Sequence, residues 1–303
     1  MKHVVSVSIG SPTRDHAVQT EIMGEKFKIE RIGTDGDMDK AVDMLRDLDG
    51  KVDAIGLGGI DLYLVAGNKR YIIRDAAKMT AVVKKTPVFD GSGLKNTLER
   101  EIIKFIAADG KYLKKSDNVF LLNSVDRFGM AEAIWQVGCK VCFSDLMTGL
   151  GMPIPIRRMA TMRALAALLL PIFSKVPFSM LYPTGSKQNE RTPKFRKWFE
   201  WADVWSGDFL VINRFMPDDL VPGKVIIANT VTKDNVEELR RLGLRALITT
   251  TPEFEGRSFG TNVMEAVYAS LLGKKAGDQL HDSELMDLIK KLNVKPRIVS
   301  LNE

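Results

Sequence analysis

The stretch "LLNSVDRFGMAEAIWQVGCKVCFSD", residues 121–145, reads as a short apolar strand, a loop, an amphipathic helix and a second strand that ends on Asp145. This is the order of elements that opens a dinucleotide-binding fold. The loop Asn123-Ser124-Val125-Asp126-Arg127-Phe128-Gly129 carries one glycine where a pyrophosphate-binding turn shows three. Glycines there permit a tight bend and a close backbone approach to phosphate, whereas Asn123, Val125 and Phe128 bring side chains.

From this stretch the pattern extends in both directions. Residues 119–122, 139–144, 178–182, 209–212, 225–228 and 246–249 are short apolar runs separated mostly by helical segments. That alternation predicts a parallel sheet covered on both faces, a doubly wound, Rossmann-like domain over residues 111–277. Residues 1–110 alternate strand and helix signals and predict a separate N-terminal α/β substrate domain. They include a paired-strand segment at 21–33, a helix at 38–48 introduced by Asp35-Gly36-Asp37, and a hairpin around Gly67-Asn68. The glycines of "GLGGIDLYL", residues 56–64, read as a tight backbone turn. Residues 278–303 form a C-terminal amphipathic helix and tail expected to return to the first domain. The fold class is therefore α/β.

The chain has 303 residues, of which 45% are hydrophobic and 27% charged, enough for sizeable cores and unlike a disordered segment. Lys and Arg total 44 against 38 Asp and Glu, a formal charge of +6 spread along the chain. That balance favours a small anionic substrate over nucleic acid, because no arginine-rich stripe with interleaved aromatics occurs. No signal-peptide core or membrane-length apolar run is seen, so a cytoplasmic location without membrane association is expected. A homodimer is admitted as the assembly. The two cysteines, Cys139 and Cys142, lie three apart on a strand and point to opposite faces, so they read as core residues. Too few ligands occur for a closed zinc site, and no metal is expected.

In an open parallel sheet the ligand crevice lies beyond the carboxyl ends of the strands. The residues there include Asn123, Ser124, Asp145, Thr184-Gly185-Ser186, Asn213, Asn229 and Thr250. Asp145 follows Asn123 at the spacing of an acid that bonds a ribose 2′-hydroxyl, which points to NAD rather than NADP. Arg127 could hold a phosphate with a charged fork in place of backbone donors. A second anion site is expected at Arg257, Ser258, Thr261 and Asn262, just before a helix. The basic residues Lys187, Arg191, Lys194, Arg196 and Lys197 form either a phosphate contact or a solvated face.

The order of features resembles the shikimate/quinate dehydrogenase family. Phe89-Asp90-Gly91-Ser92-Gly93 stands in the place of that family's Asp-Gly turn, and Gly10-Ser11-Pro12 with His16 in the place of its N-terminal loop. The resemblance implies an NAD- or NADP-dependent oxidoreductase acting on a hydroxylated carboxylic acid, with Asp90 catalytic. The family's Asn-x-Thr-x-Pro-x-Lys segment has no counterpart here, and Lys69, with Lys78 nearby, is the substitute for its lysine. The alternative is a degenerate Rossmann-like protein that binds a small anionic metabolite without redox chemistry.

Overall fold

The structure is a computed structural model and describes residues 1–67, 69–178, 185–186, 190–254 and 257–302. Residues 179–182 of the expected strand, Thr184, Lys187 and the side chain of Arg257 lie outside the described residues. The chain divides into two compact units, each assembled from three separate stretches.

The first unit comprises residues 1–97, 169–188 and 260–293. Its strands are β1 (Lys2–Ser8), β2 (His16–Ile22), β3 (Glu25–Gly33), β4 (Ala54–Gly58), β5 (Tyr63–Ala66), β6 (Lys69–Ile72) and β7 (Val88–Phe89). The main sheet has the order β2-β3-β1-β4-β7, parallel except for the β2 edge, and β5 with β6 forms a separate hairpin. Its helices begin with α1 (Met38–Leu48), α2 (Arg74–Thr80) and α3 (Ser92–Asn96). Asp37 starts α1 by accepting from the Lys40 N–H, and Ala41 and Leu45, one turn apart, bury that helix against Val7, Ile55 and Leu57.

The second unit comprises residues 98–168, 189–259 and 294–303. In chain order it contributes α4 (Leu98–Asp109), β8 (Asn118–Leu122), α5 (Phe128–Val137), β9 (Lys140–Phe143) and α6 (Asp145–Leu150). Helix α7 (Met159–Phe173) starts in this unit, followed by α8 (Arg196–Trp201), β10 (Val204–Gly207), α9 (Phe209–Phe215) and β11 (Val225–Ala228). Then come α10 (Lys233–Arg241), β12 (Ala246–Thr249) and a short hairpin of β13 (Glu253–Phe254) and β14 (Arg257–Ser258). The chain returns to the first unit for α11 (Thr261–Leu271) and α12 (Asp282–Lys291), and closes with β15 (Arg297–Ser300) in the second.

The sheet of the second unit has the order β15-β12-β11-β10-β8-β9, parallel except for β15. Each central strand is a run of buried residues, as expected for a sheet covered on both faces. Phe199 stacks edge-on against Phe120 and Trp205, with centroids 5.0 and 4.9 Å away, and the Trp205 indole donates to the Phe199 carbonyl. The expected doubly wound domain and preceding α/β domain are both present.

Three expectations need correction. Residues 209–212 are not a strand: the strand is β10, and the run after it is the first turn of α9, because Asp208 caps that helix by accepting from Leu210 and Val211. The unit boundaries are not sequential at 110 and 277, since α4 belongs to the second unit and α11 to the first. The C-terminal tail does not follow α12 into the first unit, because β15 pairs antiparallel with β12. Among the described residues, no helix is long and apolar enough to cross a membrane.

Strand order also fixes where each carboxyl edge opens. In the second unit the connections from β8 run to opposite sides, so the switch point lies between β8 and β10. There Gly207 takes φ 127°, and a Cβ on it would lie 1.9 Å from the Leu122 carbonyl oxygen. No side chain fits. Gly207→Ala is expected to lower stability by roughly 3 kcal/mol or more, read as a fall in the urea midpoint without a change in slope.

Candidate functional site

At the switch point of the second unit, Asn123 adopts φ 63° and so bends the chain as a glycine would. Two backbone donors of the loop are already used: the Val125 N–H donates to Asp145 at 2.8 Å and the Arg127 N–H to the Asn123 carbonyl at 3.2 Å. Ser124 is buried and donates to the Leu121 carbonyl. Asp145, the first residue of α6, is half-buried, and burial of its carboxyl pushes its pKa up to about 6 against the pull of the Val125 N–H and the Ser124 hydroxyl. Its Oδ1 is taken by the Val125 N–H, and its Oδ2 is buried with no hydrogen-bond partner among the described residues.

Arg127 is 2% exposed. Its guanidinium bonds Glu99, itself fully buried, and Asp208, 3.2 Å away. Burial alone would depress its pKa; the Glu99 and Asp208 carboxylates reverse this and hold it above the ordinary arginine value. Asp208 also accepts from the Asn229 side chain at 2.8 Å, and Asn229 in turn accepts from the Phe209 N–H. Thr250 is buried, its N–H bonded to the Ala228 carbonyl. Asn213 lies within α9, where it accepts two bonds from Arg191. The residues expected to hold NAD or NADP are thus largely engaged within the protein, although Asp145 Oδ2 and Thr250 Oγ1 are buried with no hydrogen-bond partner among the described residues, and the loop does not fit the group as a glycine-rich dinucleotide turn would.

The other expected anion sites are similarly engaged. Ser258 belongs to the second unit and accepts from the Val231 N–H. Thr261 and Asn262 begin α11 in the first unit, where the Asn262 amide donates to the Ser6 hydroxyl at 2.7 Å. Gly56 and Gly58 face that same Asn262 so closely that a Cβ would lie about 3 Å from it, while Gly59, at φ 73° beside Ile9, makes the expected backbone turn. In the basic segment, Arg191 pairs with Asp218 and Glu238 and Arg196 with Asp219.

The carboxyl edge of the first unit presents a different chemistry. Asp90 is buried and accepts from the N–H groups of Leu62, Tyr63 and Ser92, so its two oxygens tie the start of β5 to the start of α3. Lys69 stands exposed on the β5–β6 hairpin, and Lys78 is exposed on α2. The lysine brought to this edge is Lys95 on α3: 8% exposed, the only buried lysine among the described residues, with its ammonium 2.6 Å from Asp61. In the same unit, Arg31 of β3 donates to Ser8, Ser11 and Asp15. His16 is on β2, opposite Arg31.

Glu265 of α11 was not singled out by the sequence. It is buried and accepts from the Gly93 N–H, and burial together with repulsion from Asp90 pushes its pKa up to about 8, although Arg70 and the Gly93 and Leu94 N–H groups pull the other way. Cys139 and Cys142 are buried and unlinked, with thiols pushed up to about 12 by burial. Among the described residues, no cluster of three or more His, Cys, Asp or Glu could hold a metal.

Residues 93–301 match the model of the family described as "Domain of unknown function (DUF8754)". The chain belongs to the DUF8754 family. The segment before it, residues 3–90, matches "Domain of unknown function (DUF8753)". None of the curated proteins matches the chain. Among solved structures, this DUF8754 chain is similar to an ABC transporter solute binding protein from Burkholderia multivorans, at 11% identity over 99% of both chains and a TM-score of 0.38. It is also similar to GanP, a glucose-galactose binding protein from Geobacillus stearothermophilus, at 10% identity over 99% and 97% of the two chains and a TM-score of 0.39. A dipicolinate synthase component from Bacillus halodurans gives 13% identity over 97% and 98% and a TM-score of 0.30. At such TM-scores these likenesses carry no argument.

Two outcomes are expected here. Arg127→Met leaves Glu99 buried without its cation and should cost about 3–5 kcal/mol in urea unfolding. A buried acid raised to about 8 contributes stability that is complete below its ordinary value of 4.5 and is lost as pH rises through 8. The urea midpoint of the wild type should therefore fall more between about pH 5 and about pH 8.5 than that of Glu265→Gln.

Proposed function

We propose that the protein binds a small hydroxylated carboxylic acid at the carboxyl edge of the first unit, with Lys95 and Asp61 as the groups that meet it, and without redox chemistry. The observation that carries this reading is the Lys95–Asp61 pair. A buried ammonium 2.6 Å from a partly exposed carboxylate can receive the carboxylate of a ligand, while Asp61 accepts from its hydroxyl. Both groups stand just beyond the ends of parallel strands, Asp61 after β4 and Lys95 after β7, where α/β sheets take their ligands.

A second reading is oxidation of the same kind of acid, as the resemblance to shikimate/quinate dehydrogenases implies. It draws on the same pair, since a lysine beside a carboxylate can hold or pass a proton at Nζ next to a reacting oxygen. NAD or NADP would then have to be held by residues other than those expected from the sequence.

Calorimetric titration of the purified chain with quinate, shikimate and malate, and with glucose as an uncharged control, tests the proposal. Saturable heat with an acid, weakened at least about tenfold in Lys95→Met and in Asp61→Asn, is expected from the loss of a charge-assisted hydrogen bond. No heat with any of the acids, or unchanged affinity in Lys95→Met, would sink it.

A further inference from the structure

We infer that the switch point of the second unit is closed from within: Arg127, seated between Glu99 and Asp208, supplies the contacts that a ligand would make there, so this unit takes no nicotinamide dinucleotide. The inference is independent of the reading given for the first unit.

Three observations converge on it. A dinucleotide turn offers its pyrophosphate free backbone N–H groups at the start of the first helix. Here the Val125 N–H is given to Asp145 and the Arg127 N–H to the Asn123 carbonyl. Such a turn also keeps glycines where the backbone approaches the pyrophosphate, and here Asn123, Val125 and Phe128 stand in the loop instead. Finally, the one cation of the loop is neutralised. A phosphate reaching Arg127 would have to displace Asp208 or lie beside the carboxylate of Glu99, which has 0% exposure.

The plug is held by more than the ion pairs. Asp208 caps α9 through Leu210 and Val211 and holds Asn229 at the end of β11, so freeing Arg127 would also loosen those ends. Asp145 is likewise used within the loop. The acid at the end of the second strand thus closes a turn where dinucleotide folds use it to read a ribose.

The test is a titration of the full chain with NADH and with NADPH, up to about 1 mM, the upper end of usual substrate affinities, followed by nicotinamide and tryptophan fluorescence. Hydrogen exchange of residues 121–145 is read in parallel, and cooperative urea unfolding of the same sample shows that it is folded. The expected result is no saturable signal and unchanged exchange in that segment. Saturable binding that protects residues 121–145, or that weakens in Asp145→Asn, overturns the inference. Saturable binding that leaves the segment's exchange unchanged and is indifferent to Asp145→Asn agrees with it, because the dinucleotide then sits elsewhere. Should Asp145→Asn fail to fold, the exchange measurement on the wild type decides alone.

Discussion

A buried guanidinium must be given its counter-charges by the protein, and Arg127 makes that demand at the switch point of the second unit. Glu99 answers from α4, Asp208 from the end of β10, and Asn229 extends the chain of bonds to β11. A helix and two strands are thereby tied together through one side chain. Replacing a buried ion pair by apolar residues is often neutral, but removing one partner alone is costly, so the group is fixed once it is in place.

The first unit solves the corresponding problem with carboxylates. Asp90 and Glu265 each accept backbone N–H groups around the start of α3, one from the strand side and one from α11. Burial, and after it the nearby Asp90 carboxylate, shifts Glu265 toward its neutral form. Lys95, one turn along α3, turns instead to Asp61. The short helix therefore gathers three acids and one lysine within a few residues of two strand ends, a denser polar arrangement than any backbone cap requires.

Much of this fold is legible in the sequence because apolar strands buried on both faces leave continuous runs: residues 225–228 and 246–249 coincide with β11 and β12, and the 38–48 periodicity with α1. The expected strand at 209–212 is instead a helical turn because Phe209–Ile212 is a four-residue apolar run, a length at which hydrophobicity alone does not separate a buried strand from a buried helix. The cap-forming Asp208 was the available signal. Partners are harder to see than elements. Glu99 is 28 residues from Arg127, Asp208 is 81, and Lys95 lies 34 from Asp61, separations that no local motif encodes. Arg127 was visible as an unusual charge in a loop; that its charge is met from inside the protein depends on topology.

The interleaving of the two units bears on how such a chain could arise and fold. The family match over residues 93–301 contains α11, a helix buried along most of its length against β1, β4 and β7, strands that lie in the preceding segment. Cut at the join between the two matched regions, the longer piece would carry an apolar helix with no sheet to cover and the shorter piece an uncovered sheet face. In this chain, therefore, each matched region completes the core of the other. Completion of the first unit must also wait for residues near 260 to meet strands begun at residue 2, a long loop closure that favours slow folding.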